Sequence, residues 1–224
     1  MTPSYGHHSV APASHSTISH DRTKSPAARE EELGEKYRIE IGPHPDKPGT
    51  HFTHHMLDCL EEVLGYLPKE HTRYNGKLKA IYPLPGDEVN GYYSPSTNII
   101  ELRQRADYGA KQALRHEIGH AVSEMIGWEN EHKRKAKFGN WRAHNSGDER
   151  SSRRSYVQDR NGQWWSYYTS HREVCFVSNY QWTDPGEYFA EVYAAYYDPN
   201  QYSRRQLSSS VLKWFETRLP ALVA

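Results

Sequence analysis

The chain has 224 residues, enough for one domain of ordinary size, and its 28 basic and 28 acidic side chains give a formal net charge of zero. That balance does not indicate a nucleic-acid partner or an anionic membrane surface, and the absence of an apolar run of about 18 residues predicts no membrane insertion. Two cysteines, Cys59 and Cys175, are too few for a disulfide framework. Because hydrophobic residues make up only 36% of the chain but aromatic ones 12%, we expect aromatic rings to supply much of the core.

The first 24 residues are rich in Ser, Thr, Pro, Ala and His and contain almost no large apolar side chain. Such a segment cannot bury enough surface to offset its chain entropy, so we predict that it is disordered. We assign residues 1–35 to an N-terminal leader and residues 36–224 to a single domain. The Ser-rich, acid-poor leader is similar to the secretion signals of bacterial type III effectors, and a flexible tail without a function is the open alternative.

Helix and strand patterns follow the leader. Ser25-Pro26 is typical of the beginning of a short helix, and alternation of apolar and charged residues over 37–41 predicts a half-buried strand. Residues 50–65 predict a helix with an apolar face, and we interpret the histidines near its start as solvated rather than metal-binding. The apolar face consists of Phe52, Met56, Leu57, Leu60, Val63 and Leu64, and the histidines are His51, His54 and His55.

Residues 77–103 carry strand signals. Residues 78–82 match one strand, and residues 91–94 and 98–102 flank a Pro95-Ser96-Thr97 turn in the manner of a β-hairpin.

The helix predicted next, over about 107–127, contains the motif His116-Glu117-Ile118-Gly119-His120. Apolar residues recur there at intervals of three, four and seven, the period of an amphipathic helix. His116 and His120 then lie one turn apart on the same face, so both imidazoles can bind one ion. Glu117 lies about 100° around the helix, where it can hold a water molecule without binding the ion. This is the arrangement of a zinc peptidase, and it requires a third ligand.

A long polar stretch follows at about 128–171. It interleaves basic residues with tryptophans, but acidic residues interrupt it, so we interpret it as a solvated insertion or a substrate-facing flap rather than a nucleic-acid surface. Residues 156–158 and 163–168 flank Asn161-Gly162 and predict a hairpin, and residues 173–177 predict a buried strand.

A second helix that carries acidic residues is predicted after Pro185 and ends before Asp198-Pro199, and a last helix is predicted over about 205–218. Ser123 and Ile126 stand where metzincins have Gly and His, which excludes that class. The residues alone leave several candidates for the third zinc ligand, and Glu187 is equally interpretable as a helix-capping residue. The candidates are His132, His144, His171, Glu187 and Glu191.

Two motifs together resemble the anthrax lethal factor-like family of zinc metallopeptidases, a gluzincin-type family that includes the Pro-Pro endopeptidases. They are His116-Glu117-x-x-His120 and a Tyr180 that lies seven residues before Glu187-Tyr188-Phe189-Ala190-Glu191. The resemblance implies an α+β, zincin-like fold, in which a small mixed sheet has an edge strand above a cleft. Below it would lie an active-site helix and a second ligand-bearing helix.

The resemblance also implies the roles of the site residues. His116, His120 and Glu187 would bind one catalytic Zn²⁺, Glu117 would be the catalytic base, and Tyr180 would face the reacting carbonyl. Glu191 would orient His116 without binding the metal.

The resulting hypothesis is a zinc-dependent endopeptidase that hydrolyses peptide bonds through a zinc-bound water activated by Glu117. We assign the substrate-pairing edge strand to residues 98–102, with an ordinary sheet strand as the equal alternative. The residues that would contact a polypeptide bound in extended form are Asn98, Ile99, Ile100 and Glu101. A secreted or injected bacterial toxin without a Sec signal fits the family and the leader. A housekeeping cytoplasmic protease and a catalytically inactive binding module are the alternatives.

Overall fold

The computed structural model describes residues 22–86, 89–104, 108–128, 142–143, 156–158, 164–167, 177–178, 180–182 and 185–224. Within these ranges the chain forms five α-helices and seven strands, so the predicted α+β class is confirmed. In chain order they are α1 (Pro26–Tyr37), β1 (Glu40–Ile41), α2 (His54–Tyr66), β2 (Ala80–Leu84), β3 (Gly91–Ser94), β4 (Ile99–Arg103), α3 (Tyr108–Met125), β5 (Arg142–Ala143), β6 (Tyr156–Gln158), β7 (Trp164–Tyr167), α4 (Pro185–Tyr196) and α5 (Ser209–Val223).

The main sheet has four strands in the order β1-β2-β4-β3. The pairs β1–β2 and β2–β4 are parallel, whereas β3 and β4 form the predicted antiparallel hairpin. Ile81 on β2 and Tyr93 on β3 both lie opposite Ile100 on β4. Strand β4 therefore lies inside the sheet, and β3 is an edge strand.

The assignment of the edge strand to Asn98, Ile99, Ile100 and Glu101 is wrong. Ile99, Ile100 and Glu101 belong to β4, which pairs with β2 on one side and β3 on the other, so its backbone groups are occupied within the sheet. The N–H of Asn98 donates to the oxygen of Ser94 (2.7 Å) and its oxygen accepts from the N–H of Lys79 (2.8 Å). The ordinary interior strand, the alternative interpretation, is confirmed.

Helix α1 belongs to the folded domain, so the domain boundary at residue 35 is wrong. The Ser25 hydroxyl accepts from the N–H of Ala28 and begins the helix, as the Ser-Pro pair predicted. Leu33 and Tyr37 are buried in the same core as α2, and the buried Arg29 is bound to Asp58 of α2 at 2.8 Å. Since α1 continues to Tyr37, the strand predicted over 37–41 is reduced to β1.

The core contains residues of the main sheet and of all five helices. The apolar face predicted for α2 is buried throughout, and the rings of α4 and α5 stack on one another there, which confirms the aromatic core. His51 is exposed, in agreement with the solvated interpretation, and its Nδ1 lies 2.6 Å from an oxygen of Glu30. In the described ranges Cys59 is buried and forms no disulfide, and no helix combines the length and apolar character needed to cross a membrane.

Helices α3 and α4 pack unusually closely at Gly119, the fourth residue of the motif. A Cβ there would lie 3.0 Å from the Cα of Ala190 and 3.1 Å from the Cβ of Tyr193. Because glycine has no side chain, the two helices can approach at this point. That approach places the histidines of α3 opposite the glutamates of α4.

The predicted hairpin in the polar stretch is also confirmed. Strands β6 and β7 pair antiparallel, with Val157 opposite Ser166, and β5 pairs with β7 on its other side. Most of the stretch at 128–171 and residues 173–176 of the predicted buried strand lie outside the described residues.

Candidate metal centre

Three potential ligand atoms converge between α3 and α4. The Nε2 of His116 lies 3.1 Å from the Nε2 of His120 and 3.0 Å from Oε2 of Glu187, and the Nε2 of His120 lies 3.3 Å from the same oxygen. The histidines come from successive turns of α3, and the glutamate comes from the first turn of α4. Of the candidates for the third ligand, Glu187 is the one that meets both imidazoles. His132, His144 and His171 lie outside the described residues.

The spacing of these atoms suits a zinc ion. Tetrahedral zinc with bonds of 2.0–2.1 Å holds its ligands about 3.3 Å apart, and the three separations here are 3.0, 3.1 and 3.3 Å. Two imidazole nitrogens and one carboxylate oxygen are also a donor set typical of catalytic zinc. The residues therefore form a group that could bind a metal ion.

Glu191 holds the other ring nitrogen of His116. Its Oε1 lies 2.7 Å from Nδ1. Because a carboxylate only accepts hydrogen bonds, Nδ1 carries a proton in this contact, and loss of the proton on Nε2 would leave the Nε2 lone pair facing His120 and Glu187. The contact with His116 that was expected of Glu191 is present.

The electrostatics of this group favour a positive charge. Burial alone would lower the pKa of His116, but hydrogen bonds to Glu187 and Glu191 outweigh it and raise the pKa to about 10. Burial would raise the pKa of Glu187, yet hydrogen bonds with His116 and His120 hold it well below its usual range. For Glu191 burial acts in the same direction, and the hydrogen bond with His116 again lowers the pKa. A site that stabilises a bound proton so strongly also stabilises a metal cation in its place.

Glu117 lies beside these residues but is not among the converging atoms. It is buried, with 6% of its surface exposed, between α3 and the edge strand. The backbone N–H of Tyr93 donates to its carboxylate, and a Cβ on Gly91 would lie 3.4 Å from its Cγ. Burial raises the pKa of Glu117, although the two histidines oppose that effect. A carboxylate with a raised pKa is suited to accept a proton and return it.

Tyr180 lies on a 3₁₀ turn, Tyr180–Trp182, that precedes α4. Its hydroxyl donates to Oε1 of Glu187 at 2.9 Å, and its ring centroid is 5.8 Å from that of His116. The residue is 45% exposed. The structure thus brings Tyr180 to the same group, with its ring open to solvent.

Some residues around the site were not predicted from the sequence. The backbones of Gly91 and Tyr93 lie close to the side chain of Glu117. This contact follows from the packing of β3 against α3 and not from any local pattern. Ser178 and Gln181 fix the turn that carries Tyr180. A serine hydroxyl often accepts a hydrogen bond from the backbone N–H two residues later and so stabilises a turn. The spacing of Ser178 and Tyr180 could have indicated this role.

No model of a known protein family matches the chain, and no curated protein sequence matches it.

Proposed function

We propose that this protein is a zinc-dependent endopeptidase. The observation that carries the proposal is the convergence of His116, His120 and Glu187 beside a buried carboxylate, Glu117, that is not one of the converging groups. In the described part of the chain the group has three members, as a catalytic site requires, whereas structural zinc sites have four protein ligands. The resemblance to the anthrax lethal factor-like family assigns the same four residues to the same roles.

Zinc held by the two histidines and Glu187 would polarise a peptide carbonyl and lower the pKa of a coordinated water from about 16 towards 7. The chain's own residues handle the protons. Glu117, oriented by the Tyr93 N–H, takes the proton of the attacking water and returns it to the leaving nitrogen. The Tyr180 hydroxyl, which lies on Glu187 in the absence of substrate, is close enough to the group to donate to the oxyanion that develops on the carbonyl.

The substrate class follows from the edge strand β3. Asn90 accepts from the N–H of Arg103 at 3.0 Å, and hydrogen-bonded positions alternate along an antiparallel pair. The backbone groups of Gly91 and Tyr93 therefore point away from β4, towards α3, where the Tyr93 N–H meets Glu117. An extended polypeptide would pair with the remaining groups of this edge and lie across the metal group. Strand β3 thus takes the role that was first assigned to residues 98–102.

The inactive binding module is the weaker alternative because Glu117, the group that such proteins lose, is present and buried at the site. Delivery as a secreted or injected toxin rests on the family resemblance and the Ser-rich leader. It stays a prediction.

The test is Glu117→Gln in the zinc-loaded protein, assayed against casein and a peptide library. We expect one bound zinc per chain but a rate lowered by about 10²–10⁴-fold, because the base is lost and the ligands are not. His116→Ala should instead lose the zinc. Glu124→Gln, on the exposed face of the same helix, is the matched control and should cleave normally. An undiminished rate in Glu117→Gln would contradict the scheme, and a zinc-loaded wild type that cleaves nothing would favour the binding module.

A further inference from the structure

The hydroxyl of Ser178 contacts both the turn that carries Tyr180 and the helix that carries Glu191. Its oxygen accepts from the backbone N–H of Tyr180 at 3.1 Å and from that of Gln181 at 3.4 Å. Its proton is donated to the carboxylate of Glu191. Because a hydroxyl has one donor and two acceptor positions, these three partners saturate it. The side chain is thus fully committed to contacts with the site.

Gln181 fixes the same turn from the interior. It is fully buried, and its Oε1 accepts from the N–H of Val177 at 2.6 Å and from that of Ser178 at 3.0 Å. The side-chain oxygens of Ser178 and Gln181 therefore satisfy four backbone donors of the turn, the N–H groups of residues 177, 178, 180 and 181. Tyr180 is presented from a fixed support.

The contacts connect the two sides of the metal group. On one side, Ser178 shapes the turn that places the Tyr180 hydroxyl on Glu187 (2.9 Å). On the other, it donates to Glu191, which holds Nδ1 of His116 (2.7 Å). Loss of this one hydroxyl would loosen both Tyr180 and His116, although Ser178 touches neither the converging ligand atoms nor a substrate.

We propose that Ser178 is a positioning residue that sets Tyr180 and His116 together. The part that concerns Tyr180 rests on the proposed peptidase function, and the part that concerns His116 requires only that the site binds zinc. Ser178 would therefore affect both zinc affinity and the chemical step.

The experiment compares Ser178→Ala with Ser178→Thr, which keeps a hydroxyl. Zinc affinity, measured by competition with a chelator, should fall 10–100-fold in Ser178→Ala and recover in Ser178→Thr, as for other residues that orient a metal ligand. With zinc saturating, kcat should fall about tenfold or more at nearly unchanged KM. In a Tyr180→Phe background the same substitution should lower kcat less, because part of its effect passes through Tyr180.

Ser25→Ala is the matched control, since Ser25 also caps a turn through its hydroxyl but lies at the start of α1. It should lower the stability of the protein and leave zinc affinity unchanged. Equal zinc affinity in Ser178→Ala and wild type would overturn the proposal, and if the wild type still cleaves peptides the proposed function stands. Weakened zinc binding in Ser178→Ala, restored by threonine, supports the link from Ser178 to His116 even if the wild type cleaves no peptide.

Discussion

Two buried histidines on different sides of the α3–α4 pair have opposite properties. His116 belongs to what we term the metal face (His116, His120, Glu187 and Glu191), where two carboxylates raise its pKa to about 10. His71 belongs to the clamp face (Tyr66, His71, Arg115, Tyr193 and Asp198) and is 2% exposed. Its Nδ1 lies 3.0 Å from the Tyr193 hydroxyl, and burial lowers its pKa to about 4. Burial is common to both, so the partners decide whether a histidine there is charged or neutral.

The clamp face holds α4 in place through Arg115, the residue directly before His116. Its Nε donates to the oxygen of Ala194 at 3.2 Å, one terminal nitrogen donates to the Tyr66 hydroxyl at 3.1 Å, and the other lies 3.8 Å from Asp198. Arg115 thus has a structural role, whereas the next residue, His116, belongs to the metal face. The metal face therefore depends on a contact between α3 and α4 that lies elsewhere on the same two helices.

The largest change in stability is expected from Arg115→Met. The arginine is 1% exposed, and its removal deletes its hydrogen bonds to Ala194 and Tyr66 and the buried positive charge beside Asp198, a type of change that costs about 3–5 kcal/mol. Urea unfolding of the zinc-loaded protein measures this cost. Lys111→Met, on the same helix as Arg115, is the control, because its ion pair with Glu62 of α2 is partly exposed and contributes less than about 1 kcal/mol. Similar losses of unfolding free energy in the two variants would show that Arg115 does not hold α4 in place.

A second prediction concerns pH and separates the two histidines. The pKa of His71 is lowered from 6.5 to about 4 on folding, so the unfolded chain binds a proton between these values and the folded chain does not. Its contribution is fully present above pH 6.5 and is lost as the pH falls towards 4, by about 3 kcal/mol in total.

Acid also releases zinc, because ligating histidines must be neutral. The quantity to follow is therefore the difference in free energy of unfolding between wild type and His71→Asn. This difference should shrink by about 3 kcal/mol from pH 7 to pH 4, since the variant lacks the titrating ring. Parallel curves for the two proteins would show that His71 is not held neutral by the fold.

The sequence predicted the local elements of the site well, because local patterns specify them. The spacing of His116 and His120 requires only a helix, and the hairpin β3–β4 is encoded by its turn residues. The residues alone did not choose between Glu187 and four other ligand candidates, because that choice depends on how α4 packs against α3. Gly119 decides that packing, and nothing in its local sequence indicates its contact with Tyr193.

The errors have the same physical origin. Strand β4 was assigned as the edge strand because it directly precedes α3, but its position in the chain does not show which strands lie beside it, and its parallel partner β2 is not its neighbour in sequence. Helix α1 was assigned largely to the leader. Its Leu33 and Tyr37 join the core and its Arg29 pairs with Asp58 of α2, and no local pattern reveals these contacts.

The smallest effect is predicted for Gly119→Ala, which tests whether the two faces share one contact. An alanine improves helix propensity by about 1 kcal/mol, but its methyl group would lie 3.0 Å from backbone of α4, and such overpacking costs about 1–3 kcal/mol. We expect a net loss of about 1 kcal/mol together with weaker zinc binding, since separation of the helices moves Glu187 away from both histidines. Gly76→Ala is the control, because a Cβ there meets no atom within 4 Å and should leave zinc affinity unchanged. If Gly119→Ala lowers stability but leaves zinc affinity at the wild-type value, the metal face does not depend on the close helix contact, and the coupling of the two faces fails.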